Sequence, residues 1–309
     1  MSEAKVTCVL KNVCPGTGEG PHWDESTQTL YFVNIRADVG EVFRWNYGSN
    51  VAEEITLGSS FTTFILPRKE GGFVASLGQS VIQFDWNNPD DYSVIASVEE
   101  GRDTRFNDAK CDSSGRIWAG TMALETSPAV LEKEQGSLYC IDKDKKVTQI
   151  TDKVTISNGL AWSLDEKILY FVESIPSRVY AFDYDKETGV ASNKHCIIEF
   201  ANVGSEDSIG IADGMCIDNE GMLWIACYSG GQVVRFDPKS GKLLRTVKIP
   251  AKRTTSCCFG GPNYDELFVT SSRLGYTEEE FNKSDPLAGS LFKITGLGVH
   301  GFKPNVYEG

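Results

Sequence analysis

Residues 157–200 read SNGLAWSLDEKILYFVESIPSRVYAFDYDKETGVASNKHCIIEF. Four short runs stand out: GLAWS, ILYFV after the turn LDEK, RVYAFDY, and CIIEF after a glycine-containing turn. Each is rich in aromatic and β-branched residues and bounded by turn chemistry, so each reads as a strand. The second run recurs along the chain, beginning at Leu30 (LYFV), Gly72 (GFVA), Ile117 (IWAG), Leu169 (LYFV), Leu223 (LWIA) and Leu267 (LFVT), with spacings of 42, 45, 52, 54 and 44 residues. The third recurs as VFRWN, VIQFDW, SLYCID, QVVRFDP and SLFKI. A repeat of this length built from several short strands is the signature of a propeller blade. Six such units nearly use up the 309 residues, which predicts an all-β, six-bladed β-propeller forming a single domain over residues 1–309.

In a propeller the first strand of each blade lies nearest the axis, so residues at its entrance converge on one end of the central channel. Ten or eleven positions before the six apolar runs stand Glu19, Thr62 (or Phe61), Asn107, Asn158, Asp213 and Ser256. Glu19, Asn158 and Asp213 each precede a glycine, whereas Asn107 precedes Asp108. One such position alone reads as a turn residue before a strand. Two carboxylates and two amides at equivalent positions of a closed ring face one another across the same opening. Carboxylates brought together repel unless a proton or a cation neutralises them. Their oxygens, with those of the amides, are hard ligands suited to Ca²⁺, Mg²⁺ or Mn²⁺, and oxygen-ligated Zn²⁺ stays open. One divalent metal ion at this end of the channel is therefore expected. With three or four protein ligands it keeps positions for water or substrate, as catalytic metals do.

The chain resembles the regucalcin (senescence marker protein), gluconolactonase and luciferin-regenerating enzyme family over essentially its whole length. The segments GEGPHWD (18–24), RFNDAKCD (105–112), AGTMALET (119–126), SNGLAWS (157–163), ADGMCIDNEGMLWIACY (212–228), TTSCCFGGPNYDELFVTS (254–271) and KITGLGVHGF (293–302) carry the resemblance. It is nearest to the regucalcin branch. The resemblance implies a six-bladed propeller with one divalent metal, held by Glu19, Asn158 and Asp213. It implies sugar-lactone contacts from Arg105, Asn107 and Glu125, and Asp213 as general base. Arg105 and Glu125 rest on the resemblance only. An arginine offers fixed donors to ring or carbonyl oxygens, and a glutamate accepts from sugar hydroxyls. Two departures bear on substrate preference: Ala212 stands where the family often has proline, and residues 201–211 look longer than usual.

The expected activity is metal-dependent hydrolysis of a sugar lactone of the gluconolactonase type. A luciferin-regenerating-type hydrolase, an organophosphate hydrolase and a non-enzymatic calcium-binding regulatory protein are the alternatives. No EF-hand loop is present, so any calcium would use the channel site. A net charge of −13 excludes a phosphate backbone as partner and disfavours anionic membranes. The partner expected is a small-molecule lactone, and the protein a monomer or weak homo-oligomer. The stretch MSEAKVTCVL has no apolar core of a secretory signal. Nine cysteines without a Cys-x-x-Cys pair suit a reduced, cytoplasmic protein. His22 is read as packing beside the channel.

Two segments fall outside the repeat. Residues 122–136, MALETSPAVLEKEQG, read as a loop or short helix over the channel mouth, a lid that carries Glu125. The strand pattern KVTCVL (5–10) has no partner of its own, and the sixth unit lacks a complete fourth strand. These two are expected to pair, which would remove the edges an open ring leaves.

Overall fold

In the computed structural model, which describes residues 3–127, 130–204 and 209–309, six four-stranded antiparallel sheets form a ring. Blade 1 comprises Thr17–Asp24, Thr29–Ile35, Gly40–Asn46 and Val51–Leu57. Blade 2 comprises Ile65–Pro67, Phe73–Leu77, Ser80–Asp85 and Asn88–Ser97, and blade 3 Thr104–Cys111, Ile117–Ala123, Gly136–Ile141 and Val147–Val154. Blade 4 is Ser157–Trp162, Ile168–Glu173, Arg178–Asp185 and Val190–Glu199, so its outer strand begins six residues before Cys196. Blade 5 follows with Ile211–Ile217, Leu223–Tyr228, Gln232–Asp237 and Lys242–Lys248. Blade 6 takes Thr254–Gly260, Glu266–Ser271 and Leu291–Thr295 from the end of the chain and its fourth strand, Lys5–Leu10, from the beginning. Lys5 pairs with Thr295 and Cys8 with Phe292, the closure that the unpartnered KVTCVL pattern predicts. A capped helix, Glu278–Ser284, sits between the second and third strands of blade 6.

The core is divided among the blade interfaces. Six apolar clusters lie one between each adjacent pair: Val42 with Ile82, Phe64 with Phe106, Trp118 with Phe171, Val172 with Ile225, Trp224 with Phe259, and Trp23 with Phe268 across the closing interface. Inner strands are buried on both faces, and this explains why the runs LYFV, IWAG and LWIA are continuously apolar rather than alternating. Outer strands such as VAEEITL (51–57) are largely exposed and charged, which blunts their free edges.

Two turns are buried and carry polar caps. Asp112 accepts from the Trp118 indole at 2.8 Å, the Arg116 Nε at 2.6 Å and the Tyr184 hydroxyl at 2.8 Å. Asp218 does the same in blade 5, from the Trp224 indole at 2.8 Å and Arg235 Nε at 2.7 Å. Each carboxylate also accepts backbone N–H groups of its own turn, so a buried charge is paired and fully bonded.

Candidate functional site

The inner strands share one irregularity. Their pairing with the second strand breaks between Glu19 and His22, Phe106 and Ala109, Ser157 and Leu160, Ala212 and Met215, and Thr254 and Cys257. A bulge re-aims the side chains of the inserted residues. Here the inserted residues include Asn107, Asn158, Asp213 and Ser256, and Glu19 is the last paired residue before the break in blade 1. In blade 2 the inner strand begins only at Ile65, beyond Thr62. The glycines at these bulges allow neighbouring strands to approach. A Cβ on Gly214 would lie 2.0 Å from Ser256 Oγ, and one on Gly159 would lie 2.5 Å from the Met215 backbone nitrogen. Asp108 takes the corresponding place in blade 3 and adds a third buried carboxyl to the group.

Glu19, Asp108 and Asp213 are each less than a tenth exposed. Burial raises the Glu19 carboxyl to about 8, with Asp108 adding to the rise, against the Gly20 N–H, the Ser256 hydroxyl and Arg105. Asp213 is raised well above the usual carboxylate range by burial and then by Glu19 and Asp108, with the Gly214 N–H and the Asn158 amide opposing. Burial raises Asp108 too, and Lys110 and the Ala109 N–H hold it back. Three acids that prefer to be neutral on their own describe a site short of positive charge.

Asn158 is held from one side. Its Nδ2 donates to Ser174 Oγ at 2.9 Å, and Ser174 in turn donates to the Ala212 carbonyl at 2.6 Å. Its Oδ1 is buried and has no hydrogen-bond partner. Asn107 links Arg105 to the next blade: Arg105 Nη1 donates to Asn107 Oδ1 at 2.8 Å, and Asn107 Nδ2 donates to the Ser157 carbonyl at 2.8 Å. The guanidinium also lies over the Phe61 ring at 5.1 Å and donates to the Phe106 carbonyl at 2.9 Å. Burial lowers Arg105 to about 10, opposed by Glu125 and Glu19. Glu125 is exposed on the loop after Ala123, and its charge reaches Arg105 and Tyr228. Of the axial positions read from the repeat, Ser256 bonds Glu19, and Thr62 is buried with its hydroxyl unpartnered.

Residues 17–273 match the family described as the SMP-30/Gluconolactonase/LRE-like region. The chain belongs to this family. It is similar to regucalcin from Sus scrofa, 46% identical over 309 residues that span 100% of both chains. Among solved structures it is similar to a luciferin-regenerating enzyme, with a TM-score of 0.88 and 35% identity over 99% of this chain and 100% of that one. A calcium-binding protein, regucalcin, from Agrobacterium tumefaciens gives a TM-score of 0.87 and 25% identity over 97% and 96% of the two chains.

The donors fit the divalent cation that the SMP-30/gluconolactonase fold implies. Among the described residues no three His, Cys, Asp or Glu side chains gather as a metal cluster. The set that fits is two carboxylates and one amide: Glu19, Asp213 and the unpartnered Asn158 Oδ1. All are hard oxygens, and the raised carboxyls mark the charge that a cation would supply.

Asp108 and Ser174 are the neighbours that sequence reasoning passed over as site residues. Asp108 was visible as the acid standing where Glu19, Asn158 and Asp213 are followed by glycine. Ser174 had no signal, because it reaches Asn158 only through strand pairing. Residues 124–127 and 130–135 form no helix; Ser127 and Val130 make an isolated bridge, and residues 128 and 129 of the expected lid lie outside the described residues. So do residues 205–208 of the long segment before Asp213. All nine cysteines are free, and Cys216 and Cys257 approach to 3.7 Å between their sulfurs. No helix is long and apolar enough to cross a membrane among the described residues.

Proposed function

We propose that this channel mouth hydrolyses sugar lactones, with a divalent metal held by Glu19, Asn158 and Asp213. The observation that supports it most is the pair of buried, mutually repelling carboxyls Glu19 and Asp213 with the unpartnered Asn158 amide oxygen, near the buried Arg105 guanidinium. Bound there, the cation supplies Lewis-acid polarisation of the acyl oxygen and offsets the carboxylate charge. Asp213, once ionised, accepts a proton from the water that attacks the acyl carbon. The ring C–O bond then breaks, and the released hydroxyl takes up a proton to give the aldonic acid. Arg105, fixed by Asn107, has Nη1 committed to the protein and its other donors left for the ring or carbonyl oxygens of the substrate. Glu125 accepts from sugar hydroxyls at the rim. Among carbohydrate lactones, D-glucono-δ-lactone is the substrate to try first.

A calcium-binding role is the second reading, favoured by the likeness to the Agrobacterium protein whose name states that property. Both readings use the same oxygens. Stripping the protein with a chelator and restoring Ca²⁺, Mg²⁺, Mn²⁺ or Zn²⁺ one at a time separates them. Lactone hydrolysis that vanishes and returns with one cation is the expected outcome. A protein that binds a cation tightly yet turns over no lactone with any of the four would leave the binding role.

A further inference from the structure

A cavity lies at the opposite end of the channel from Asp213. It has a volume of about 300 Å³, at the lower end of the range for small-molecule sites. Inner strands of five blades line it, from Pro21 and His22 round to Cys258 and Phe259. Its outer wall is the C-terminal segment, which leaves the ring after blade 6 and crosses this mouth. That segment is anchored at every stage of the crossing: Gly301 N–H donates to the Tyr264 carbonyl at 2.8 Å, Asn305 Nδ2 to the Cys111 carbonyl at 3.3 Å, and Tyr307 N–H to the Pro67 carbonyl at 3.0 Å. Tyr307 itself is fully buried against blades 2 and 3. One wall of the cavity is thus pinned chain.

Its lining combines apolar surface with a half-buried cation, Lys110. Trp162, Ile217 and Phe259 present the inner apolar wall, and Leu164 and Phe302, each about half exposed, stand at the rim. Lys110 is half-buried on the floor; its Nζ donates to the Met215 carbonyl at 2.6 Å, reaching from blade 3 to blade 5. Among the described residues no carboxylate oxygen lies within 4.0 Å of that ammonium. Every other charged group facing the cavity is accounted for. Burial pushes His22 down to about 4, with Lys110 adding to the drop against Asp24, so at neutral pH the imidazole is uncharged. Glu166 is bound to Lys186 at 2.5 Å, and Lys303 is an exposed rim residue 3.8 Å from Glu25. Asp108 feels the Lys110 charge, and the two share a water-sized cavity between the mouths, but Asp108 makes no ion pair with the ammonium and does not line the larger cavity. An ammonium at an apolar cavity with a single carbonyl bond and no carboxylate in direct contact has donors left for a ligand.

We infer that this lower mouth is a second ligand site, taking a small organic monoanion whose carboxylate sits on Lys110 and whose aromatic or branched apolar body fills the Trp162, Phe259 and Phe302 wall. Net charge makes the assignment sharper. A chain of −13 repels anions in general, so a half-buried cation at an apolar cavity selects for a ligand whose body also fits. The inference stands apart from the lactonase reading, since it uses none of Glu19, Asn158, Asp213 or Arg105.

Calorimetric titration at pH 7.5 with 2-naphthoate and its neutral isostere 2-naphthamide tests it. The naphthoate is expected to bind at one saturable site, and the amide at least tenfold more weakly. Lys110→Met, which keeps the apolar stem, should abolish that preference, and Phe302→Asp at the exposed rim should weaken naphthoate tenfold or more. Arg105→Ala should change neither. No saturable naphthoate binding, equal affinity for the amide, or naphthoate binding lost in Arg105→Ala would overturn the assignment. Should Lys110→Met fail to fold by circular dichroism, the rim variant decides: unchanged naphthoate affinity in folded Phe302→Asp also overturns it.

Discussion

Asp108 and Lys110 are two residues apart on one inner strand, both directed into the channel, and they belong to opposite chemistries. Toward the upper mouth Asp108 acts on the buried carboxyls of Glu19 and Asp213; toward the lower mouth Lys110 borders an apolar cavity. Alternation along a strand sends every second side chain to the same side, so two residues move about 7 Å along the axis. Over that distance the channel changes from short of positive charge to short of negative charge. The lesson is that a propeller channel is not one site with two openings. Each strand contributes separately to each mouth, and the bulges fix which residues are aimed at the upper one.

The largest expected effect separates the mouths by chemistry. Asp213→Asn should lower turnover of D-glucono-δ-lactone by three orders of magnitude or more, with the melting temperature unchanged or higher because a buried acid is removed. Naphthoate affinity should not move. Turnover close to that of the parent protein would take Asp213 out of the mechanism.

Next comes the frame that both mouths share. Deleting residues 1–11 removes the outer strand of blade 6 and the packing of Val6 and Cys8 against the interface of blades 5 and 6. A fall in melting temperature on the order of 10 °C is expected from exposing a sheet edge and that apolar surface. Thermal unfolding followed by circular dichroism reads this directly, and an unaffected variant would mean that the ring closes without it.

Smaller effects sharpen the upper mouth. Arg105→Ala should raise KM roughly tenfold while kcat changes less, because a ground-state contact is lost; the reverse pattern would move Arg105 into the chemical step. The metal-free protein should also lose stability as pH rises. Glu19 has its folded pKa raised to about 8 from an ordinary 4.5, so between those values the folded state keeps a proton that the unfolded chain has released. Stability therefore falls across that window with increasing pH. The melting temperature should drop by several degrees from pH 5 to pH 8, and Glu19→Gln should flatten the slope. A slope unchanged by that substitution would assign the titration elsewhere.

The six blades and the axial set at the upper mouth were legible because both follow the repeat. Apolar runs mark the second strand of each blade, and counting back finds Glu19, Asn107, Asn158 and Asp213 without coordinates. The pairing of residues 5–10 was legible from a deficit, a strand without a partner facing a blade without a fourth strand. Arg105 and Glu125 were not readable from spacing, since one lies before the bulge and the other on a loop. Asp108 hid because glycine at its counterparts suggested a backbone role only. The lower cavity was invisible for another reason. Its wall depends on the path of residues 302–305 across the mouth, and a stretch with no periodicity gives no sign of where it runs. Buried Asp112 and Asp218 give no sign in the sequence that they accept the Trp118 and Trp224 indole N–H groups.

The closure of blade 6 also sets an order in time. Lys5–Leu10 is made before blades 1 to 5, yet Leu291–Thr295, the strand it pairs with, is made after them. Five blades can stack on their neighbours while that early segment waits, exposed and unpaired. The final event joins residues separated by nearly the whole chain, a contact of the slowest kind to form. Val9 and Leu10 of that early strand also pack on the cluster where Trp23 of blade 1 meets Phe268 of blade 6, so one segment closes both the sheet and the ring.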